Sequence, residues 1–116
     1  MQLLEPQGEV RMRIAAIGDV AVIGSARARA RRDGYDAVLE ALGPGLRAAD
    51  VGFANLEMPV GAPEWVRPGR APEFWNEPDL IPALVRAGVH VVSLANNHLM
   101  DCGPRGLERT RAACEH

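Results

Sequence analysis

The stretch Gly88-Val89-His90-Val91-Val92-Ser93-Leu94-Ala95-Asn96-Asn97-His98 decides the fold prediction for this chain. Val89 to Leu94 are mostly apolar and rich in β-branched side chains, which predicts a short strand buried on both faces of a sheet. Two amides and an imidazole follow directly. Because ligands of open α/β sheets bind beyond the carboxyl ends of the strands, we expect Asn96, Asn97 and His98 to lie at a functional site.

Two earlier apolar runs also end in polar side chains. Arg13 to Ile17 predicts a strand that stops at Gly18 and Asp19, and Val51 to Glu57 predicts a second strand that ends in a carboxylate. Helices are predicted between and after the strands, where apolar residues recur at helical spacing, over residues 35–42, 79–87 and 106–114. The order strand, helix, strand, helix, strand, helix predicts an α/β fold with a mainly parallel sheet.

Glycine and proline predict where the chain is irregular. Residues 18–34 are expected to form a surface connection, and Gly43-Pro44-Gly45 is expected to interrupt the helix over 35–42. Residues 61–78 contain four prolines, Trp65 and Trp75, which predicts a long loop that either packs over the sheet edge or forms one wall of a pocket. The first connection holds an arginine cluster that is either solvated or meets an anion such as phosphate: Arg27, Arg29, Arg31 and Arg32.

The composition excludes several classes of protein. The 116 residues suffice for one domain, and a net charge of -2 indicates neither a nucleic-acid-binding face nor a polyacidic tail. No apolar run is long enough to span a membrane, and residues 1–10 lack the apolar core of a signal peptide, so we expect a cytoplasmic protein. Cys102 and Cys114 are too few for a disulfide framework. Cys102 is expected to be a small filler in a turn rather than a nucleophile.

The polar strand ends carry groups suited to metal-assisted chemistry. If neighbouring strands are parallel, Asp19, Glu57, Asn97 and His98 converge on one rim of the sheet. Their oxygen and imidazole groups suit Mg, Mn, Fe or Zn, and such metals activate water and polarise phosphoryl oxygens. His98 is predicted to act as a general acid. Asp101 is predicted to accept the other ring N–H of His98 and to orient the ring.

Each of these residues also has a structural interpretation. An aspartate at a strand end, such as Asp19, is commonly a turn former or a helix cap, and Glu57 before Met58-Pro59 can be a solvated side chain. Asn96 is expected to bond to the backbone of the sharp turn. His90 is expected to be a packed or edge histidine. Only the convergence of several polar groups favours a functional site over these alternatives.

The ordered motifs resemble the bacterial capsule-synthesis, CapA-like family. The matching stretches run along the chain as Ile-Gly-Asp at 17–19, Ala-Asp-Val-Gly-Phe-Ala-Asn-Leu-Glu at 49–57, the stretch from 88 to 103, and Gly-Leu-Glu-Arg-Thr at 106–110. Members of this family are associated with poly-γ-glutamate capsule biosynthesis and share the fold of calcineurin-like metallophosphoesterases. The resemblance therefore implies a hydrolase-type metal site that acts on a phosphate or acyl-phosphate-type group.

The resemblance also implies a role for each motif residue. Asp19 matches the first acidic metal position and Glu57 the second, while Asn97 matches a metal ligand and His98 a residue that assists the leaving group or the substrate. Ala21 stands where related phosphoesterases commonly have a histidine ligand, and Glu57 replaces the usual bridging aspartate. The metal site is therefore expected to be reduced or absent, and a metal that does bind there is expected to be Mn, Zn, Fe or Mg.

Domains of this kind are roughly twice as long as this chain and carry further histidine motifs. We therefore interpret residues 1–12 as a polar leader and residues 13–116 as the N-terminal part of such a domain. A homo-oligomer or a complementing polypeptide is expected to complete it, with an anionic small molecule or a polyglutamate-type substrate. The alternative is a noncatalytic binding or assembly module of the same fold, which holds a partner through the open sheet edge and the loop 61–78.

Overall fold

A computed structural model of the chain describes residues 8–9 and 11–115, so most of the predicted leader lies outside the described residues. Strands and helices alternate along the chain as β1 (Ile14–Val20), α1 (Gly24–Asp33), α2 (Tyr35–Leu39), α3 (Gly43–Arg47), β2 (Val51–Leu56), α4 (Leu80–Ala87), β3 (Val91–Ser93) and α5 (Gly103–Cys114), with short 3₁₀ turns at Glu40–Leu42 and Pro63–Trp65. No helix among these residues is both long and apolar enough to cross a membrane.

The three strands form one parallel sheet in the order β1-β2-β3, which confirms the predicted α/β class. The central strand β2 pairs on one side with β1, where Ile14 lies opposite Val51. On its other side it pairs with β3, where Phe53 lies opposite Val91. The carboxyl ends of all three strands therefore lie along one rim of the sheet.

One face of the sheet is covered and the other is open. Ala54 and Leu56 are fully buried in a core that also takes residues from helices α1 to α4. The opposite face, called the bare face below, carries mostly apolar side chains that are exposed or half-exposed: Ile14, Ala16, Val51, Phe53 and Val91. Ile14 is 66% exposed and Val91 is 50% exposed. The prediction that the third strand is buried on both faces is therefore wrong, because β3 is an edge strand packed on one face only.

Residues 24–33 form the helix α1, so the prediction of an irregular connection is wrong for most of residues 18–34. The helix has no large apolar side chain, because its sequence is made largely of arginine and alanine. Both residue types have high helix propensity, and that propensity outweighs the weak apolar signal. Ala30 faces the core, and the helix ends at Gly34 with a positive φ of 93°.

Two predicted helix boundaries also need correction. Gly43-Pro44-Gly45 does not interrupt the helical segment, since α3 starts at Gly43 and Pro44 occupies its first turn, where a missing N–H costs no helical hydrogen bond. The second boundary is the start of the helix predicted over residues 79–87. The helix α4 begins at Leu80, and the side chain of Asp79, which precedes it, makes no capping hydrogen bond. The backbone N–H groups of Leu80 and Ile81 already donate to the carbonyls of Glu77 and Pro78.

Candidate functional site

An irregularity in β1 sets the direction of the Asp19 side chain. The register between β1 and β2 shifts between Ala16 and Asp19, so that Ala16 lies opposite Phe53 and Asp19 lies opposite Asn55. Three residues of β1 therefore span two residues of β2, which is the geometry of a β-bulge. Asp19 lies inside the strand rather than after it, and the extra residue aligns it with Asn55.

The Asn55 amide joins the two predicted carboxylates. Its Nδ2 donates to Asp19 Oδ1 at 2.8 Å and to Glu57 Oε2 at 2.5 Å. Asn55 Oδ1 in turn accepts a hydrogen bond from Asn96 Nδ2 at 3.2 Å. One neutral amide thus holds two acidic side chains at the carboxyl rim, as the convergence of strand ends predicts.

The turn after β3 is held by Asn96. Its Oδ1 accepts the backbone N–H of His98 at 3.0 Å, and its Nδ2 donates to the carbonyl of Leu56 at 2.9 Å. Asn96 therefore has the structural role predicted for it. These bonds fix the turn against the end of β2, and they place His98 beside Glu57.

His98 is held between two carboxylates. Its Nδ1 lies 2.7 Å from Asp101 Oδ2, and its Nε2 lies 3.8 Å from Glu57 Oε1. Because a carboxylate only accepts hydrogen bonds, the short contact assigns a proton to Nδ1. The side chains of His98 and Glu57 are 18% and 16% exposed, whereas that of Asp101 is fully buried. Asp101 thus has the geometry predicted for the residue that orients His98.

The loop 61–78 forms one wall of this site, and it also packs. The Phe74 ring meets the His98 ring edge-on, with centroids 5.0 Å apart. Arg70 Nε lies 3.3 Å from Asp101 Oδ1. Trp75 is buried beneath the Arg27 guanidinium, whose Cζ is 3.8 Å from the ring centroid. The loop therefore has both predicted roles, since Phe74 forms part of the wall of the site and Trp75 packs in the interior.

The rim cluster, meaning Asp19, Asn55, Glu57 and His98, brings together side chains of the types that bind metal ions. Its carboxylate and amide oxygens are hard donors that suit divalent Mg or Mn, and its imidazole suits Zn. The carboxylates of Asp19 and Glu57, which share the Asn55 amide nitrogen, are of the right type for two ligands of a metal coordination shell. Within residues 8–9 and 11–115, no group of three or more His, Cys, Asp and Glu is arranged to hold a metal ion. The rim cluster therefore does not form a complete metal site among these residues, and metal binding there stays a prediction.

Asn97 is the predicted ligand that the structure does not join to this group. Its residue is exposed, and among the described residues no hydrogen bond links its side chain to Asp19 or Glu57. Its role as a ligand stays a prediction. The sequence places Asn55 near the end of the second predicted strand but indicates no role for it. The sequence also does not indicate that Arg70 and Phe74 lie at the site. Arg70 and Phe74 lie 28 and 24 residues before His98 in the chain, so no local pattern marks them.

A second acidic cluster lies on the helical side of the sheet. Glu77 Oε1 accepts from Arg31 Nε at 2.7 Å, and Glu77 Oε2 accepts from the Tyr35 hydroxyl at 2.5 Å. Burial would raise the pKa of Glu77, but the bonds from Arg31 and Tyr35 outweigh it and hold that pKa below its ordinary value. Burial and the Glu77 hydrogen bond raise the pKa of Tyr35.

The arginine cluster lies in the helix α1 rather than in a loop. Arg29, Arg31 and Arg32 are exposed, as the solvated alternative predicts, whereas Arg27 is buried. Arg27 donates to the carbonyls of Glu73 and Trp75, and Arg29 and Arg32 pair with Asp33. Burial lowers the pKa of Arg27.

Cys102 has the packing role predicted for it. The residue is 3% exposed and free of any disulfide, and burial raises the pKa of its thiol. Burial disfavours the thiolate, which is the nucleophilic form.

Comparison with known proteins identifies the family. The profile described as "Bacterial capsule synthesis protein PGA_cap" matches residues 13–116. The chain belongs to this family. A probable polyglutamine synthesis accessory protein of Mycobacterium tuberculosis (strain H37Rv) is 39% identical over 66 residues, which cover 57% of this chain and 17% of that protein. An uncharacterized protein of Sinorhizobium fredii is 32% identical over 104 residues, which cover 84% of this chain and 21% of that protein. The chain thus spans about a fifth of the length of these curated relatives.

Proposed function

We propose that this PGA_cap family chain carries the first part of a metal-assisted site for a phosphate or acyl-phosphate-type group in capsule or polyglutamate synthesis. The observation that supports this most is the meeting of Asp19 and Glu57 at one amide, beside a histidine held by a buried aspartate. The negative charges of Asp19 and Glu57 repel each other, and a bound cation would relieve this repulsion. The fold alone does not imply this activity, so the proposal rests on the site.

A bound divalent metal would polarise a phosphoryl oxygen and activate water there. Asp19 and Glu57 would hold it, with Asn97 as the third ligand from this chain. His98 would donate a proton from Nε2 to the leaving oxygen, while Asp101 keeps the ring turned toward the rim and stabilises its charged form. The Phe74 ring contacts the His98 ring edge-on and would help to hold its orientation.

Calorimetric titration with MnCl₂ tests the metal site. The wild type is expected to bind Mn at micromolar concentration, and Asp19→Ala to lose this binding. Glu77→Gln is a matched control, since it removes a carboxylate charge from the second cluster, where arginine and tyrosine already occupy the oxygens. Absence of binding by the wild type, or equal binding by Asp19→Ala, would contradict the proposal.

The chain alone is expected to have little catalytic power, because it supplies only part of a ligand shell. Hydrolysis of a simple aryl phosphate by the purified protein, with and without Mn, measures this. Appreciable turnover that His98→Ala abolishes would show that the 116 residues suffice, and it would contradict the incomplete site.

We further propose that the bare face packs against the remainder of a PGA_cap domain. Parallel sheets are normally covered on both faces. Three strands about 4.8 Å apart, of which β3 has only three residues, give this face roughly 250 Å². A stable complex of two proteins buries about 800 Å² on each partner, so the bare face would form one part of a larger contact with the covering layer. The relatives carry about four-fifths of their length outside the matched region, which is ample for a covering layer.

Mixing tests this docking surface. The chain is combined with the part of the Sinorhizobium fredii relative that lies outside the matched region, and sedimentation velocity measures complex formation. A complex is expected with the wild type and not with Ile14→Glu, whereas Glu40→Gln on the helical side is a control that keeps it. A homodimer of the chain alone, or a complex unaffected by Ile14→Glu, would contradict the proposal.

The second candidate function is a noncatalytic assembly module, which the bare face also favours. In that case the partner complex forms through Ile14 and Phe53, and Mn does not bind to the rim cluster. The calorimetric titration therefore distinguishes the two functions.

A further inference from the structure

Asp101 is a buried carboxylate with its two oxygens in different surroundings. Its side chain is fully buried, and its Oδ2 lies 2.7 Å from His98 Nδ1. Among the described residues, Asp101 Oδ1 accepts no hydrogen bond. A buried charge of this kind is costly unless an opposite charge is near it.

The opposite charge comes from the loop 61–78. Arg70 Nε lies 3.3 Å from Asp101 Oδ1, within the distance of an ion pair, while the Arg70 side chain is 48% exposed. A half-exposed arginine therefore supplies the positive charge beside the Oδ1 atom of the buried Asp101. This pairing leaves Oδ2 to accept the proton on His98 Nδ1.

Two further contacts fasten the same loop to the same pair of residues. The backbone N–H of Arg67 donates to the carbonyl of Asp101 at 2.8 Å. The edge-on contact of Phe74 with the His98 ring is the second. The loop thus contacts Asp101 through charge and backbone, and it contacts His98 through an aromatic ring.

We propose that Arg70 is a positioning residue, which acts through Asp101 to hold His98 with Nδ1–H toward Asp101 and Nε2 toward Glu57. Its ion pair is with Asp101, so it acts on His98 through that carboxylate. The value of this orientation for catalysis rests on the proposed function, but the orientation itself is a property of the chain alone. The loop 61–78 is then part of the working site as well as a packing element.

Nuclear magnetic resonance of the 116-residue protein, in metal-free buffer at a pH where the ring is neutral, tests this. Long-range ¹H–¹⁵N spectra distinguish the protonated ring nitrogen from the unprotonated one. In the wild type we expect a single tautomer with the proton on Nδ1. In Arg70→Gln the shift difference between the ring nitrogens is expected to fall to about half or less, because both tautomers become populated.

Two variants make the result specific. Arg70→Lys keeps a positive charge and is expected to restore most of the wild-type shift difference. Arg67→Gln is the matched control, since it removes an arginine charge from the same loop but keeps the backbone hydrogen bond to Asp101. A wild-type spectrum for Arg70→Gln, or an equal change in Arg67→Gln, would overturn the proposal. Because no metal is present, failure here leaves the Mn titration as a separate test of the proposed function.

Discussion

Two acidic clusters of this molecule differ in how their charge is balanced. Glu77 accepts from the Arg31 guanidinium and from the Tyr35 hydroxyl, so both of its oxygens have strong donors. At the rim cluster, Asp19 and Glu57 share the amide of Asn55, which is neutral. The first cluster is complete within the chain, whereas the second carries two negative charges with one uncharged donor between them.

This difference separates a structural cluster from a candidate functional one. An ion pair that satisfies its own hydrogen bonds contributes to stability and leaves no room for a ligand. Two carboxylates that share one uncharged donor repel each other and contribute little to stability, and the proposed cation would relieve that repulsion. Substitutions in the two clusters are therefore expected to have different consequences.

The largest effect is expected at Asn76, a buried amide that lies in neither cluster. It precedes Glu77, its Oδ1 accepts from the backbone of Val22 at 2.9 Å, and its Nδ2 donates to the carbonyl of Met58 at 2.7 Å. Its side chain is fully buried. Asn76→Ala leaves two buried backbone groups without partners and is expected to lower the free energy of unfolding by about 3 kcal/mol.

Urea denaturation measures this loss. Asn97→Ala is the matched control, because it removes an exposed amide, and a change below about 0.5 kcal/mol is expected. Similar losses in the two variants would show that the buried hydrogen bonds of Asn76 do not stabilise the fold.

A smaller, pH-dependent effect is expected at Glu77. Because its pKa in the folded protein lies below the ordinary value of 4.5, folding stabilises the charged form. That stabilisation is present above pH 4.5 and is lost as the pH falls through the folded pKa. Glu77→Gln is expected to lower the free energy of unfolding by about 1 kcal/mol at pH 7, since the group is mostly buried. Urea denaturation at pH 7 and pH 3 checks both parts, and a loss at pH 3 as large as that at pH 7 would contradict the charge-based explanation.

The smallest effect on stability is expected at the rim cluster. Glu57→Gln removes one of two neighbouring negative charges and keeps an oxygen that can accept from Asn55. We expect the free energy of unfolding to change by less than about 0.5 kcal/mol in metal-free buffer. In millimolar MnCl₂ the wild type is expected to gain stability and Glu57→Gln to gain none. A loss as large as that of Glu77→Gln would remove the distinction between the clusters.

The sequence predicted the parts of this architecture that depend on local patterns. Apolar runs located the three strands, and their parallel order predicted that Asp19, Glu57 and His98 converge. The helix α1 was not predicted, because its sequence lacks a clear apolar periodicity. The burial of Arg27 could not be predicted either, since it depends on Trp75, which lies 48 residues further along the chain.

The site was predictable where it depends on strand ends and not where it depends on the loop. The bulge that aligns Asp19 with Asn55 reflects strand pairing, which no single strand reveals. Arg70 and Phe74 reach the site only because the loop folds back over the turn after β3. Asp101 was found because its spacing of three residues from His98 is itself a local signal.

One measurement tests the contrast between the clusters most directly. Substoichiometric Mn²⁺ is added to ¹⁵N-labelled protein, and the broadening of each signal is recorded, since a paramagnetic ion broadens the signals nearest to it. Selective broadening of the Asn55 side-chain amide and the His98 ring, with the Arg31 Nε–H signal unchanged, is the expected result. Broadening centred on Arg31, or none at Asn55, would show that the rim carboxylates do not act as the cation-binding cluster.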